Sequence, residues 1–379
     1  MDAFRLANTA TAVDIFKKLC EKNKTDNIIF SPICISSSLA LAYKGSKGNT
    51  ASEIEKVLHF EKVNNCDFGF QTLTSDISKI TSPYSLKLVK RLYVDNGMEC
   101  TKDFINSTKK PYPSELEEVD IKNKAEEVRT QINTSVKELT DGNIETVLSE
   151  DVCDESTKML LLGAAYFKGS WLYKFNETET KEVDFHINKN ETKPVQMMYL
   201  ESRLSIGYIN DLKTMVLEIP YTGKHLSMLI LLPKNIEDDS TGLEKLEQDM
   251  TYEKFVHWTN PSIMANSKVK VCLPKFKLEC TYDLKDTLKS LGMNDAFNEE
   301  AADFSGMSEC KGIHISQAIQ KACIEINEDG TEAADVSRER LLMHKEEFLV
   351  DHPFIFTIRH NKTRNIIMCG RYCGPPESC

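Results

Sequence analysis

Two stretches of this sequence, Met159 to Phe167 and Leu226 to Leu232, run almost without a polar residue. A strand with one wet face alternates apolar and polar side chains, so such runs belong to strands covered on both faces. Layers are needed on either side of them, and the length allows either two ordinary domains or one large α/β domain. Neither run approaches the roughly 18 apolar residues of a membrane span. The 379 residues and 41% hydrophobic content supply an ample core. With no linker, repeat or low-complexity block, a single domain over residues 1–379 is expected.

Around those runs the patterns are mixed. Leu6, Ala10, Val13, Phe16 and Cys20 recur at three- and four-residue steps with Asp14, Lys17 and Lys18 between them. That is an amphipathic helix over 2–22 and not a cleavable leader, whose apolar stretch carries no charge. Further helical patterns cover 35–44, 50–58 and 122–139. Ser85 to Val94 reads as an imperfectly alternating strand. Val269, Val271 and Leu273 alternate with Lys268, Lys270 and Cys272, so that strand should have one wet face. Strands are also expected at 321–327, 354–358 and 365–371, with a charged stretch from Glu328 to Val350 between the first two. A loop of about twenty residues inside a domain is unusual and tends to be functional. It is the expected first site of proteolysis, with trypsin cutting after Arg338 or Arg340.

The formal charge of -11 disfavours a general nucleic-acid binder, because phosphate affinity is built from surplus Lys and Arg. Lys87, Lys90 and Arg91, then Lys109 and Lys110, read as solvated faces. Twelve cysteines without a CxxC pair read mostly as reduced, buried thiols. Cys369 and Cys373 with His352 and His360 lack established metal-ligand spacing. Sequons at Asn23, Asn106, Asn133, Asn176, Asn190 and Asn361 do not settle the compartment. G-x-S-x-G, H-E-x-x-H, G-x-G-x-x-G and Walker A patterns are absent and nothing selects a triad. No catalytic residue, cofactor or metal is therefore expected.

An ordered series of motifs carries a resemblance. Asn27-Ile28-Ile29-Phe30-Ser31-Pro32 is followed by Tyr166-Phe167-Lys168-Gly169-Ser170-Trp171, Leu231-Leu232-Pro233, Leu273-Pro274-Lys275-Phe276 and Asp303-Phe304-Ser305-Gly306-Met307. Glu328 to Ala334 and Asp351-His352-Pro353-Phe354 complete it. In this order the motifs resemble those of the serpin family, in its ovalbumin-like branch, which lacks a cleaved signal. The resemblance implies a mixed α/β (α+β) fold of three β-sheets and about nine helices, with an exposed reactive loop at about 328–350. It also implies a hinge at Gly330, Thr331, Glu332, Ala333, Ala334 and Asp335. In inhibitory members, cleavage lets that loop insert as a central strand of the largest sheet, carrying the acylated protease with it.

Insertion makes the hinge a strand, so alternate residues must enter the layer between sheet and covering helix. Family geometry points Thr331 and Ala333 inward, and parity then selects Asp335, Ser337 and Glu339. An unpaired buried carboxylate costs several kcal/mol or a large pKa shift, so Asp335 and Glu339 oppose insertion. Counting back from Pro353 puts the scissile residue at Arg340, whereas counting forward from Gly330 puts it near His344; the loop is about four residues short for the mechanism. The family usually places Ser, Ser, Asn and His in a hydrogen-bonded cluster beneath the point where the sheet parts. The matching positions here are Ser31, Cys34, Gly163 and Gln320, and losing three polar partners argues against a working network.

The expected function is that of a non-inhibitory family member acting through protein contacts. The resemblance implies regulation of adhesion, migration and tumour suppression, with cell-surface or matrix components among the partners. Arg338, Glu339, Arg340, Lys345, Glu346 and Glu347 are the candidate contact residues, and no RGD triplet supports direct integrin capture. The alternative is an inhibitor of a trypsin-like serine protease with Arg340 in its acidic pocket, which the run from Gly330 to Ala334 favours. A monomer is expected, cytoplasmic, with an unconventional route to the extracellular space or cell surface.

Overall fold

The structure is a computed structural model that describes residues 2–81, 83–334 and 345–377. Among these residues the helices are α1 (Asp2–Lys22), α2 (Pro32–Gly45), α3 (Gly48–Val57), α4 (Cys66–Ser78), α5 (Lys102–Thr108), α6 (Ile121–Leu139), α7 (Glu244–Asp249), α8 (Tyr252–Trp258) and α9 (Lys285–Ser290). The strands are β1 (Ile28–Phe30), β2 (Ser85–Asp95), β3 (Leu116–Val119), β4 (Met159–Lys168), β5 (Trp171–Lys174), β6 (Lys181–His186), β7 (Thr192–Ile209), β8 (Thr214–Pro220), β9 (Leu226–Pro233), β10 (Ala265–Pro274), β11 (Phe276–Asp283), β12 (Ile315–Ile326), β13 (Gly330–Ala333), β14 (Glu346–Leu349), β15 (Phe354–His360) and β16 (Asn365–Tyr372).

They build three sheets among the described residues. A nine-stranded sheet runs β1-β16-β15-β9-β8-β7-β10-β14, with β6 paired to β7; a five-stranded sheet runs β11-β12-β4-β2-β3; and β13 pairs with β5. No described helix is long and apolar enough to cross a membrane.

The apolar run of β4 is explained by its cover. Leu160, Leu162, Ala164 and Tyr166 face α6 through Val128, Ile132 and Val136, while Met159, Leu161, Ala165 and Phe167 join the main core with α2. Every residue from Met159 to Phe167 is buried, and so is all of β9. The α6 helix starts where it does because buried Asp95 accepts from the Ile121 and Lys122 amides, at 2.9 and 3.0 Å. Asp120 caps the same turn through Asn123 N, which satisfies otherwise orphaned donors. At α2, Pro32 occupies the first turn and the Ser31 hydroxyl is spent on Ile367 O at 2.8 Å, fastening the helix start to β16.

Several expectations are corrected. The N-terminal helix is not wetted along one side in its middle: every residue from Ala7 to Val13 is buried, including Asn8, Thr9 and Thr11. Lys87, Lys90 and Arg91 do not form a solvated face. Lys90 is buried against Glu115 at 2.9 Å, Lys87 meets Asp141 at 3.2 Å and Arg91 meets Glu117 at 3.5 Å. The wet face expected of β10 is closed at Lys268, which is buried, and half-closed at Lys270 and Cys272. The first of the three expected C-terminal strands begins at Ile315, six residues before the expected 321. Among its described residues the charged stretch 328–350 holds two strands, β13 and β14, because sheet edges accept polar segments.

Candidate functional site: the hinge and the sheet junction

In the five-stranded sheet β4 and β12 pair directly and in parallel, from Ile315 beside Met159 to Glu325 beside Lys168. The strand neighbours close the sheet along this whole line. At its upper end the Tyr166 hydroxyl donates to the Glu325 carboxylate across the pair.

Ser31, Cys34, Gly163 and Gln320 do come together beneath that junction. A β-carbon at Gly163 would lie 3.2 Å from both Cys34 Cβ and Gln320 Nε2, so those side chains occupy the space that a residue at 163 would need. The Gln320 amide donates to Ser31 O at 3.2 Å, and its Oε1 is buried without a partner. Burial, opposed by a hydrogen bond with Ser31, pushes the Cys34 thiol up to about 11, so it stays protonated and is a weak hydrogen-bonding group. Four positions meet, and a Gln320-to-backbone bond and a weak thiol contact with Ser31 stand where a polar cluster would be.

The hinge lies outside the five-stranded sheet. Gly330, Glu332 and Ala333 run beside Trp171, Tyr173 and Lys174 of β5, and Thr331, Glu332 and Ala333 are exposed while Ala334 is half-buried. Gly330 is needed here, since a β-carbon would sit 2.5 Å from Lys174 Cα. The Thr331 hydroxyl meets that of Thr222 at 2.8 Å. Asp335, Ser337, Arg338, Glu339, Arg340 and His344 lie outside the described residues.

Sequence reasoning assigned no role to the residues that hold this region. Trp171 stacks on Tyr221 with ring centroids 4.2 Å apart and planes 8° off parallel, and its Nε1 donates to Asn327 O at 2.7 Å. Trp171 N donates to Asp329 O and Phe175 N to Glu328 O, at 2.9 and 3.1 Å. The Glu328 carboxylate is paired with Lys275 at 3.0 Å and accepts from Thr180 Oγ1 at 3.0 Å. Burial pushes the Glu328 carboxyl up, but the hydrogen bonds from Lys275, its own backbone and Thr180 win and hold it below its ordinary value. The cues in the sequence were the motifs Tyr166 to Trp171 and Glu328 to Ala334, which mark the segments without showing that they meet.

Beyond the undescribed residues the chain returns along the edge of the nine-stranded sheet. Lys345 is paired with Glu201, and the Tyr208 hydroxyl donates to Glu346 at 2.9 Å. Glu347 lies opposite Lys270 in the ladder with β10. Lys345 and Glu346 are thus engaged with their own sheet. Cys369 and Cys373 are buried at the end of β16, His352 Nε2 contacts Pro233 O and His360 Nδ1 meets Thr363 Oγ1 at 2.7 Å.

The family model described as Serpin (serine protease inhibitor) matches residues 6–375. Serpin B5 of Xenopus tropicalis is 76% identical over 378 residues, covering 100% of both chains. The crystal structure of maspin superposes with a TM-score of 0.96 at 54% identity, covering 99% of each chain. A structure of a tumour suppressing serpin superposes with a TM-score of 0.93 at 53% identity, covering 99% of this chain and all of the other. The likeness to maspin is also visible in short runs such as Trp258-Thr259-Asn260-Pro261 and His360-Asn361-Lys362-Thr363-Arg364-Asn365.

Proposed function

The chain belongs to the serpin family, and on that premise we propose that it is a non-inhibitory member acting through contacts with other proteins and performing no catalysis of its own. The observation that carries this reading is the junction beneath β4 and β12. Gly163 offers no side chain, Cys34 is a weak hydrogen-bonding group, and Gln320 keeps a buried unpaired oxygen, so the hydrogen bonds that would stabilise a parted sheet are missing. Asp335 and Glu339 add a second obstacle, because each would enter a dry layer on insertion. The structural relative described as a tumour suppressing serpin supports extending the proposal to cell adhesion, migration and tumour suppression. The proposed setting is the cytoplasm, with release to the extracellular space or cell surface, and the proposed partners are proteins there or in the matrix.

The competing reading is inhibition of a trypsin-like protease at Arg340. The hinge favours it, since Gly330, Thr331, Ala333 and Ala334 are small enough to start a buried strand. Incubation with trypsin at sub-stoichiometric and equimolar ratios, followed by denaturing gel electrophoresis, separates the two. A nicked chain and no adduct is the expected result. A band heavier than the chain by the mass of the protease, resistant to boiling in detergent, overturns the proposal in favour of the inhibitor.

A further inference from the structure

Two cysteines outside the hinge and junction lie on loops that are fastened to each other. The chain leaves β2 through a tight turn in which Asp95 accepts from Gly97 N at 3.2 Å and Glu99 N donates to Asn96 O at 3.2 Å. Glu99 adopts φ 47°, a left-handed conformation that turns the chain just before Cys100. The second loop precedes β12. Thr101 N donates to Met307 O at 3.0 Å, the Ser308 hydroxyl donates to Met98 O, and Cys310 N donates back to Ser308 Oγ at 3.1 Å. The Cys310 thiol lies 3.9 Å from Gly97 O, at an exposed contact. Both thiols are free and half-buried.

We propose that Cys100 and Cys310 form a disulfide when the chain meets a low-molecular-weight disulfide oxidant, and that this bond is a redox clasp on the five-stranded sheet. The loops are already held together by two hydrogen bonds, Thr101 N to Met307 O and Ser308 Oγ to Met98 O, which keeps the two cysteine-bearing segments side by side, as a cross-link requires. The chemistry runs in two exchanges. The Cys310 thiol loses its proton and its thiolate attacks one sulfur of the oxidant, giving a mixed disulfide and releasing one small thiolate. Cys100 then loses its proton and displaces the second small thiolate from Cys310 Sγ. Two protein thiols are oxidised and one small disulfide is reduced to two thiols. The order follows from access: Cys310 has the exposed contact, whereas burial, with Glu118 and then Cys310 adding to it, pushes the Cys100 thiol up to about 12.

The placement gives the bond a consequence. The loop after β2 and the loop before β12 meet at one end of the sheet, where Asp95 N donates to Lys158 O at 2.9 Å and Lys158 N to Ser316 Oγ at 2.9 Å. Lys158 immediately precedes β4, which lies between β2 and β12. A bond from Cys100 to Cys310 therefore spans β4 and locks its two neighbours together at that end, whichever function the chain performs.

The test is peptide mapping of the full chain, incubated natively with oxidised glutathione at pH 8, quenched with acid and alkylating agent, and digested with trypsin without reductant. Residues 92–102 and 290–311 each contain one cysteine. The expected result is these two peptides joined by one disulfide in the monomer fraction, separated by reductant. Cys310→Ser should abolish the joined species and leave Cys100 as a free thiol. Recovery of the two peptides as separate glutathione adducts or as unmodified thiols, or joined only in a covalent dimer, overturns the proposal.

Discussion

Arg371 is fully buried, and its position is viable only because each face of the guanidinium meets an acceptor. It pairs with Glu247 at 2.7 Å, donates from Nε to Asp26 O at 3.0 Å and reaches Asn23 O with its remaining nitrogen. Burial pushes the Glu247 carboxyl up, and Arg371 works against that push. Arg371→Met keeps the volume but strands the carboxylate and two carbonyls, and should cost about 3–5 kcal/mol in urea-induced unfolding. A loss below 1 kcal/mol would mean that water or a neighbour takes over the acceptors. A second residue pair gives a pH signature. The hydrogen bond between His59 Nε2 and Asp14, at 2.7 Å, raises the His59 pKa above its ordinary 6.5, with burial opposing it. A raised folded-state value means that the stabilisation is complete below 6.5 and disappears as the pH rises through the folded-state value. Urea midpoints of His59→Gln should therefore fall furthest below wild type near pH 6 and approach it by pH 9. A constant difference across that range would assign the loss to packing instead.

Between elements, the bond from Tyr166 to Glu325 is a side-chain tie that crosses directly from β4 to β12 at the hinge end. Tyr166→Phe removes a hydrogen bond to a charged group and leaves the ring in the layer under α6, so unfolding should shift by about 1–2 kcal/mol. Hydrogen exchange at Ile324 and Glu325 should accelerate more than exchange in β9; equal acceleration in both strands would show that the tie has no local role. The elements themselves were unequally legible. β4 and β9 could be read because cover on both faces leaves an unbroken apolar run, and α6 because one face alone is apolar. Helices α7, α8 and α9, of six or seven residues, are too short for periodicity to register and owe their existence to packing. The polar strands β13 and β14 carry no hydrophobic alternation to betray them. Lys90 looked solvated because its partner Glu115 is 25 positions away in sequence and meets it only through the β2–β3 region. At the junction, motif order alone brought Ser31, Cys34, Gly163 and Gln320 together. That Cys34 and Gln320 fill the space over Gly163 depended on packing no motif describes.

For the whole molecule, the decisive quantity is the free energy of adding one strand between β4 and β12. Insertion would gain two new ladders, at about 1 kcal/mol for each hydrogen bond in them, and for a chain of this size the melting temperature moves by roughly one degree per kcal/mol, so complete insertion should raise it by on the order of 10 °C or more. Against that gain stand three costs that act together. The existing β4–β12 ladder, from Ile315 to Glu325, must be broken before it is replaced. The β13 pairing with β5 and the Thr331–Thr222 contact must be given up. Asp335 and Glu339 must then pass into a buried layer against the sheet, where an ionised and unpaired carboxylate costs several kcal/mol. Thr331 and Ala333 could begin the process, so partial entry gives a small shift and only complete entry a large one. Thermal melts at pH 7 of intact chain and of chain nicked by trypsin at Arg338 or Arg340 should therefore differ by only a few degrees. The same comparison on Asp335→Ala/Glu339→Ala should open a wider gap, because the charge cost is gone while the other terms are unchanged. A rise of well over 10 °C on nicking the unmutated chain would show that the carboxylates are accommodated and that the sheet parts without its polar cluster, and the non-inhibitory reading would lose its physical basis.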